Sequence, residues 1–137
     1  MKIHHLGFLC ADLEESVLGF ARLGMMEILR VRDQVRDVDL IFMSTSEGEL
    51  VELVSPVTKD APTSKLPKLF YNSVYHICYI SRELEKDIAR LENDGFIIVS
   101  PPSESVAFNN NRVVFLYGKH SGLIELVENR YESCLLK

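Results

Sequence analysis

A chain of 137 residues with 47% hydrophobic side chains and a formal charge of -5 has the size of one ordinary domain, able to bury a core without disulfides or a structural metal. Its 15 basic residues are scattered among 20 acids, which excludes the clustered cationic surface that a nucleic-acid partner requires. No apolar run approaches the ~20 residues that span a bilayer and no signal-peptide pattern opens the chain, so a membrane is excluded and the expected location is the cytoplasm.

Residues 2–10 alternate loosely and predict a strand with Ile3, His5, Gly7 and Leu9 on one face and His4 on the other. Asp12 offers an N-cap with Glu15 three residues on, and Leu13, Val17, Phe20 and Leu23 recur at helical spacing before Gly24, which predicts an amphipathic helix over about 12–23. Three strand-like runs follow, Met26–Arg32, Val38–Ser44 and Leu50–Val54, the last two separated by the turn residues Ser46-Glu47-Gly48. The segment 55–72 holds three of the five prolines and reads as a crossing connection. Beyond it the order recurs: strand 73–80, Ser81 as N-cap, a helix over about 82–93 carrying Leu84, Ile88 and Leu91, Gly95, strand 96–100, a Pro/Ser/Asn-rich loop, strand 111–117, the turn Gly118–Gly122 and strand 123–128. Each half therefore reads βαβββ within a single domain, 1–137: module one 1–54, linker 55–72, module two 73–137.

The halves are copies. From His5 to Gly24 and from His76 to Gly95 the spacing is 19 residues, and within that window Leu13/Leu84 and Glu14/Glu85 are identical. Leu50-Val-Glu52-Leu-Val54 likewise matches Leu123-Ile-Glu125-Leu-Val127. Each half thus carries one histidine on its first strand and one glutamate on its last. A lone carboxylate buried in an apolar strand costs several kcal/mol or takes up a proton, so Glu52, between Leu50 and Val54, and Glu125, between Leu123 and Val127, require an explanation. An edge strand whose polar residue faces water would serve for one of the four; it serves poorly for four placed pairwise by a repeat. Two neutral imidazoles and two carboxylates carry charge -2, which a divalent cation cancels, and an N2O2 set suits Zn, Co, Mn, Ni or Fe better than Ca or Mg. His5, Glu52, His76 and Glu125 are the candidate metal ligands.

Other polar residues carry less. His4 faces away from His5, His120 lies in a solvent-facing turn, and Asn109-Asn110-Asn111 suits a loop tip with left-handed backbone. Cys10, Cys78 and Cys134 are an odd number without metal-type spacing; the first two read as small buried hydrophobes and the third as a loose tail residue.

The segments HLGFLCADLEESVLGFARLGM, ELVELVSPV, YHICYISRELEKDIARLENDGF and RVVFLYGKHSGLIELVE, nearly the whole chain, resemble the vicinal oxygen chelate (glyoxalase/bleomycin resistance/dioxygenase) superfamily, and within it most closely the methylmalonyl-CoA epimerases. The resemblance implies an α+β fold in which two βαβββ modules form a curved, cup-shaped mixed sheet with helices outside. His5, His76 and Glu125 match that family's metal ligands directly, and Glu52 falls where relatives carry Gln or Glu. The implied chemistry is proton transfer beside a carbonyl held at the metal, with Glu125 as catalytic base as well as ligand. Two features depart from the epimerase pattern. Val35 stands where a second acid/base carboxylate is expected, with Asp37 and Asp39 as candidate substitutes, and the GKHSG turn lacks the His-Pro pair that often precedes it. The expected function is a metal-dependent, epimerase-like enzyme whose partner is a small carbonyl or acyl-CoA substrate. A glyoxalase I-type lyase or isomerase and a non-catalytic small-molecule-binding protein are the alternatives. A homodimer is left open.

Overall fold

The computed structural model describes residues 1–130, in the order β1 (Lys2–Leu9), α1 (Leu13–Arg22), β2 (Met26–Asp33), β3 (Val38–Ser44), β4 (Leu50–Pro56), β5 (Ser73–Ser81), α2 (Leu84–Asn93), β6 (Ile97–Glu104), β7 (Arg112–Gly118) and β8 (Gly122–Glu128). The fold class is α+β, and βαβββ recurs as the repeat predicts. By its contacts the chain divides into two compact units, one from His5 to Tyr75 and one joining Met1–His4 to the residues from His76 onward.

In the first unit the strands lie in the order β2-β3-β4-β1, with β1 parallel to β4 and the other neighbours antiparallel. In the second the order is β5-β8-β7-β6, with β5 parallel to β8 and the rest antiparallel. Because successive strand residues point to opposite faces, each four-stranded sheet has two distinct sides. One side takes the helix: Leu13, Val17 and Phe20 of α1 lie over Ile41, Met43 and Leu53, and Leu84, Ile88 and Leu91 of α2 over Val114, Leu116, Ile124 and Leu126. The intervening residues form the other side, with Leu9, Leu40, Phe42 and Val54 in one unit and Cys78, Val113 and Val127 in the other all buried. This second side also carries the histidines and glutamates.

The first helix begins as predicted, Asp12 Oδ1 accepting from the Glu15 N–H at 3.1 Å, and Gly24 follows it at φ 88°, a conformation that only glycine adopts without strain. The second differs at its start. Ser81 is the last residue of β5, buried and in register with Glu128, and its hydroxyl donates to Asp87 Oδ2 at 2.6 Å; the N-cap is Glu83, whose side chain makes no capping bond. The strand runs one residue further than its apolar pattern suggests, so the serine hydroxyl meets the Asp87 side chain in the first turn of α2 instead of capping a backbone N–H. A second difference is that β6 continues through Pro101 and Pro102 to Glu104. Prolines are tolerated there because β6 is the outer strand of its sheet and its register with β7 slips between Ile98 and Ser100 and again between Ser100 and Ser103. The connection 55–72 contains two short 3-10 turns, Pro62–Lys65 and Lys68–Phe70.

Cys10 and Cys78 are buried, His120 is exposed, and Asn109 and Asn110 have φ of 52° and 62°, as the sequence suggests. His4 is half-buried, edge-on to Phe108. Cys134 lies outside the described residues. Among the described residues no helix is long and apolar enough to cross a membrane.

Candidate metal centre

In the first unit, β4 presents Glu52 beside Gly7 of β1, its register partner, and His5 follows one step along the same face. The imidazole Nε2 lies 3.6 Å from Glu52 Oε1, and the two residues are 1% and 4% exposed. In the second unit β8 presents Glu125 beside Cys78 of β5, and His76 again follows one step along. His76 Nε2 lies 3.2 Å from Glu125 Oε2, with exposures of 2% and 3%. All four predicted residues are therefore buried. Each histidine meets the glutamate of its own half, so the spacing repeat has become a repeat in geometry.

These separations suit a cation. With bonds of about 2.1 Å to nitrogen and oxygen, adjacent ligand atoms lie ~3.0 Å apart at right angles and ~3.4 Å apart in a tetrahedron. The 3.2 Å between His76 and Glu125 falls within that span, and the 3.6 Å between His5 and Glu52 lies just above it and beyond hydrogen-bond length. The donor set fits as well: each pair offers one imidazole nitrogen and one carboxylate oxygen, and the residues are shielded from the water that would otherwise solvate two anions.

The candidate substitutes for the absent second carboxylate point elsewhere. Val35 lies in the turn between β2 and β3 and is 76% exposed. Asp39 is on the helix side of β3, alternating with the glutamate side. Arg32, its register partner, donates to it from Nε at 2.7 Å and from a terminal nitrogen at 3.0 Å, which holds its carboxyl below the usual carboxylate range. Asp37 sits at φ 57° in the turn and accepts from the Thr58 hydroxyl. Sequence reasoning passed over a different buried acid, Asp33, which is 2% exposed. It accepts from Arg36 through the side chain at 2.7 Å and the backbone N–H at 3.1 Å, an arrangement that closes the β2–β3 turn.

Sequence reasoning also missed two aromatic rings. Phe42 is the register partner of Glu52 and stands edge-on to His5, with centroids 5.2 Å apart at 88°. Phe115 is the register partner of Glu125 and stands edge-on to His76, at 5.3 Å and 86°. The signal was present in the repeat, since each phenylalanine lies ten residues before its glutamate.

A family model described as Glyoxalase/Bleomycin resistance protein/Dioxygenase superfamily matches residues 4–115. No curated protein matches the chain in sequence. Among solved structures, a hypothetical protein, BH1468, from Bacillus halodurans C-125 is similar at a TM-score of 0.82 and 18% identity, covering 96% of each chain. Methylmalonyl-CoA epimerase from Mycobacterium tuberculosis is similar at 0.80 and 20% identity, covering 93% of this chain and 87% of that one. A variant of the Streptomyces coelicolor methylmalonyl-CoA epimerase, in complex with 2-nitronate-propionyl-CoA, reaches 0.81 and 23% identity over 100% of this chain and 98% of that one. At these identities the likeness is one of fold.

Proposed function

Because the chain belongs to the glyoxalase/bleomycin resistance protein/dioxygenase superfamily, we propose that it is a divalent-metal-dependent enzyme that moves a proton beside the carbonyl of a small carbonyl or CoA-thioester substrate, in the manner of a methylmalonyl-CoA epimerase. In this reading His5, Glu52, His76 and Glu125 together hold one ion of Zn, Co, Mn, Ni or Fe. The observation that carries it is the duplicated buried pair, one imidazole and one carboxylate 3.6 Å apart in one half and 3.2 Å apart in the other. A single His–Glu pair in a sheet interior is ordinary; the same pair twice, at positions related by an internal repeat, supplies the N2O2 set and the charge of -2 that one divalent ion neutralises.

When bound, such an ion supplies a Lewis acid that lowers the cost of negative charge on a substrate carbonyl oxygen. The protein's part is to bind, to exclude water and to carry the proton. Glu125 is the base: its carboxylate is 3% exposed on β8, so bulk water competes little for the proton it takes. A small molecule is the natural partner, and the soluble-type composition is consistent with the cytoplasm.

A second reading is favoured by one observation. Asp39 and Asp37 are engaged by Arg32 and Thr58, and Val35 has no carboxylate, so the second acid that a two-base epimerisation needs is not at these positions, which favours the glyoxalase I-type alternative. Proton NMR of methylmalonyl-CoA in deuterated water tests the first reading, and its failure leaves the glyoxalase I-type and small-molecule-binding alternatives. With metal-loaded protein, coupled exchange and inversion identifies an epimerase. Exchange that outpaces inversion identifies a single base at Glu125. No exchange above the Glu125→Gln background removes this substrate class.

A further inference from the structure

We infer that Phe42 and Phe115 are positioning residues, each ring edge fixing the imidazole of its own half so that Nε2 faces the glutamate carboxylate. The inference rests on the metal reading above and adds a determinant of the metal affinity.

In each half the two rings belong to strands that are not neighbours. His5 is on β1 and Phe42 on β3, with β4 between them; His76 is on β5 and Phe115 on β7, with β8 between them. Strands lie ~4.8 Å apart, so the backbones of the ring-bearing strands are ~10 Å apart, and only two long side chains leaning toward one another can meet over the middle strand. They meet above the glutamate, because Phe42 and Glu52, and Phe115 and Glu125, are register partners. The perpendicular arrangement, at 88° and 86°, is the favoured one for aromatic pairs and restricts rotation of the imidazole about its Cβ–Cγ bond. Leucine could fill much of the same volume but could not present a ring edge.

Ordinary core packing would also put phenylalanine in a strand, but it would not require the same register partner, the same histidine and the same angle twice. The halves otherwise diverge here: Phe42 is fully buried and Phe115 half-buried, and Gly7 stands where the other half has Cys78. What the two halves keep in common is the ring against the imidazole.

The test uses cobalt(II) with the full chain. Phe42→Leu and Phe115→Leu should each weaken cobalt binding roughly tenfold, the loss typical when the group orienting a ligand is removed. In metal-free protein at one fixed pH, they should also change the rotamer of the facing histidine, read from ring NOEs and 15N shifts. Phe115→Tyr, which keeps the ring at a half-exposed position, should restore both. Leu126→Val, on the helix side of β8, loses packing without touching the rings and should change neither. If the leucine variants keep the histidine rotamer, or bind cobalt as the parent does, the positioning role is overturned. If the parent takes up no cobalt the metal reading falls; the rotamer then decides alone, an unchanged one overturning positioning and a changed one upholding it.

Discussion

At the scale of single residues, charge burial separates the two kinds of acid in this chain. Glu128, 8% exposed, receives two hydrogen bonds from Arg112, both at 2.9 Å, and these hold its carboxyl below the usual range against the opposing effect of burial. A depressed folded-state pKa means a contribution that is present in full above the ordinary value of 4.5 and lost as pH falls through the folded one. Melting temperature should therefore fall on acidification below pH 4.5, and Glu128→Gln should start lower at neutral pH and fall less. Equal slopes for variant and parent would show that Glu128 does not contribute. Cys10 presents the reverse case: burial, the largest influence, pushes its thiol up, so it should resist alkylation at neutral pH in the folded protein and react at the ordinary rate in denaturant.

At the scale of elements, the packing of helix on sheet is where substitutions should cost most. Leu126 is fully buried between β8 and α2, and its replacement by alanine removes three carbons from a layer that also contains Leu84, Ile88 and Leu116. A loss of roughly 2–5 kcal/mol is expected in denaturant unfolding, and a loss below about 1 kcal/mol would mean that the layer collapses around the cavity. Gly118 ends β7 for a different reason. A Cβ there would lie 2.5 Å from the Phe96 ring and closer still to the Ser121 hydroxyl, and Phe96 is itself packed against the α2 layer, so it has little freedom to move aside. Gly118→Ala should cost about 1–3 kcal/mol although φ at this glycine is unexceptional.

At the scale of the whole molecule, the proposal makes one metal site from two half-sites, and stoichiometry can distinguish that from two independent ones. Metal analysis of protein purified without a polyhistidine tag should give one ion per chain. His5→Ala and His76→Ala should each abolish it. If each His–Glu pair bound an ion by itself, the parent would carry two and each variant would keep one, an outcome that rejects the N2O2 set while leaving the fold untouched. No metal in the parent at any loading would favour the small-molecule-binding alternative.

The sequence by itself determined the βαβββ repeat, both helices and the burial of His5, Glu52, His76 and Glu125, because period-two alternation, helical spacing of apolar residues and a fixed distance between copies are properties of the chain alone. That Val35 stands where a second carboxylate is expected came from the resemblance to epimerases and not from the chain's own pattern. Only tertiary structure decided what each residue meets. Register across β3, β4 and β1, and across β7, β8 and β5, is set by strand pairing between segments far apart in the chain, and it puts Phe42 and Phe115 over the glutamates and against the histidines. The same pairing turned Asp39 toward Arg32, kept Ser81 in a strand where the sequence suggested a cap, and let β6 run through two prolines because it lies at the outside of its sheet. No local pattern carries that information, since an identical segment would serve at an edge or in the interior, and only the neighbours it finds on folding determine which contacts it makes.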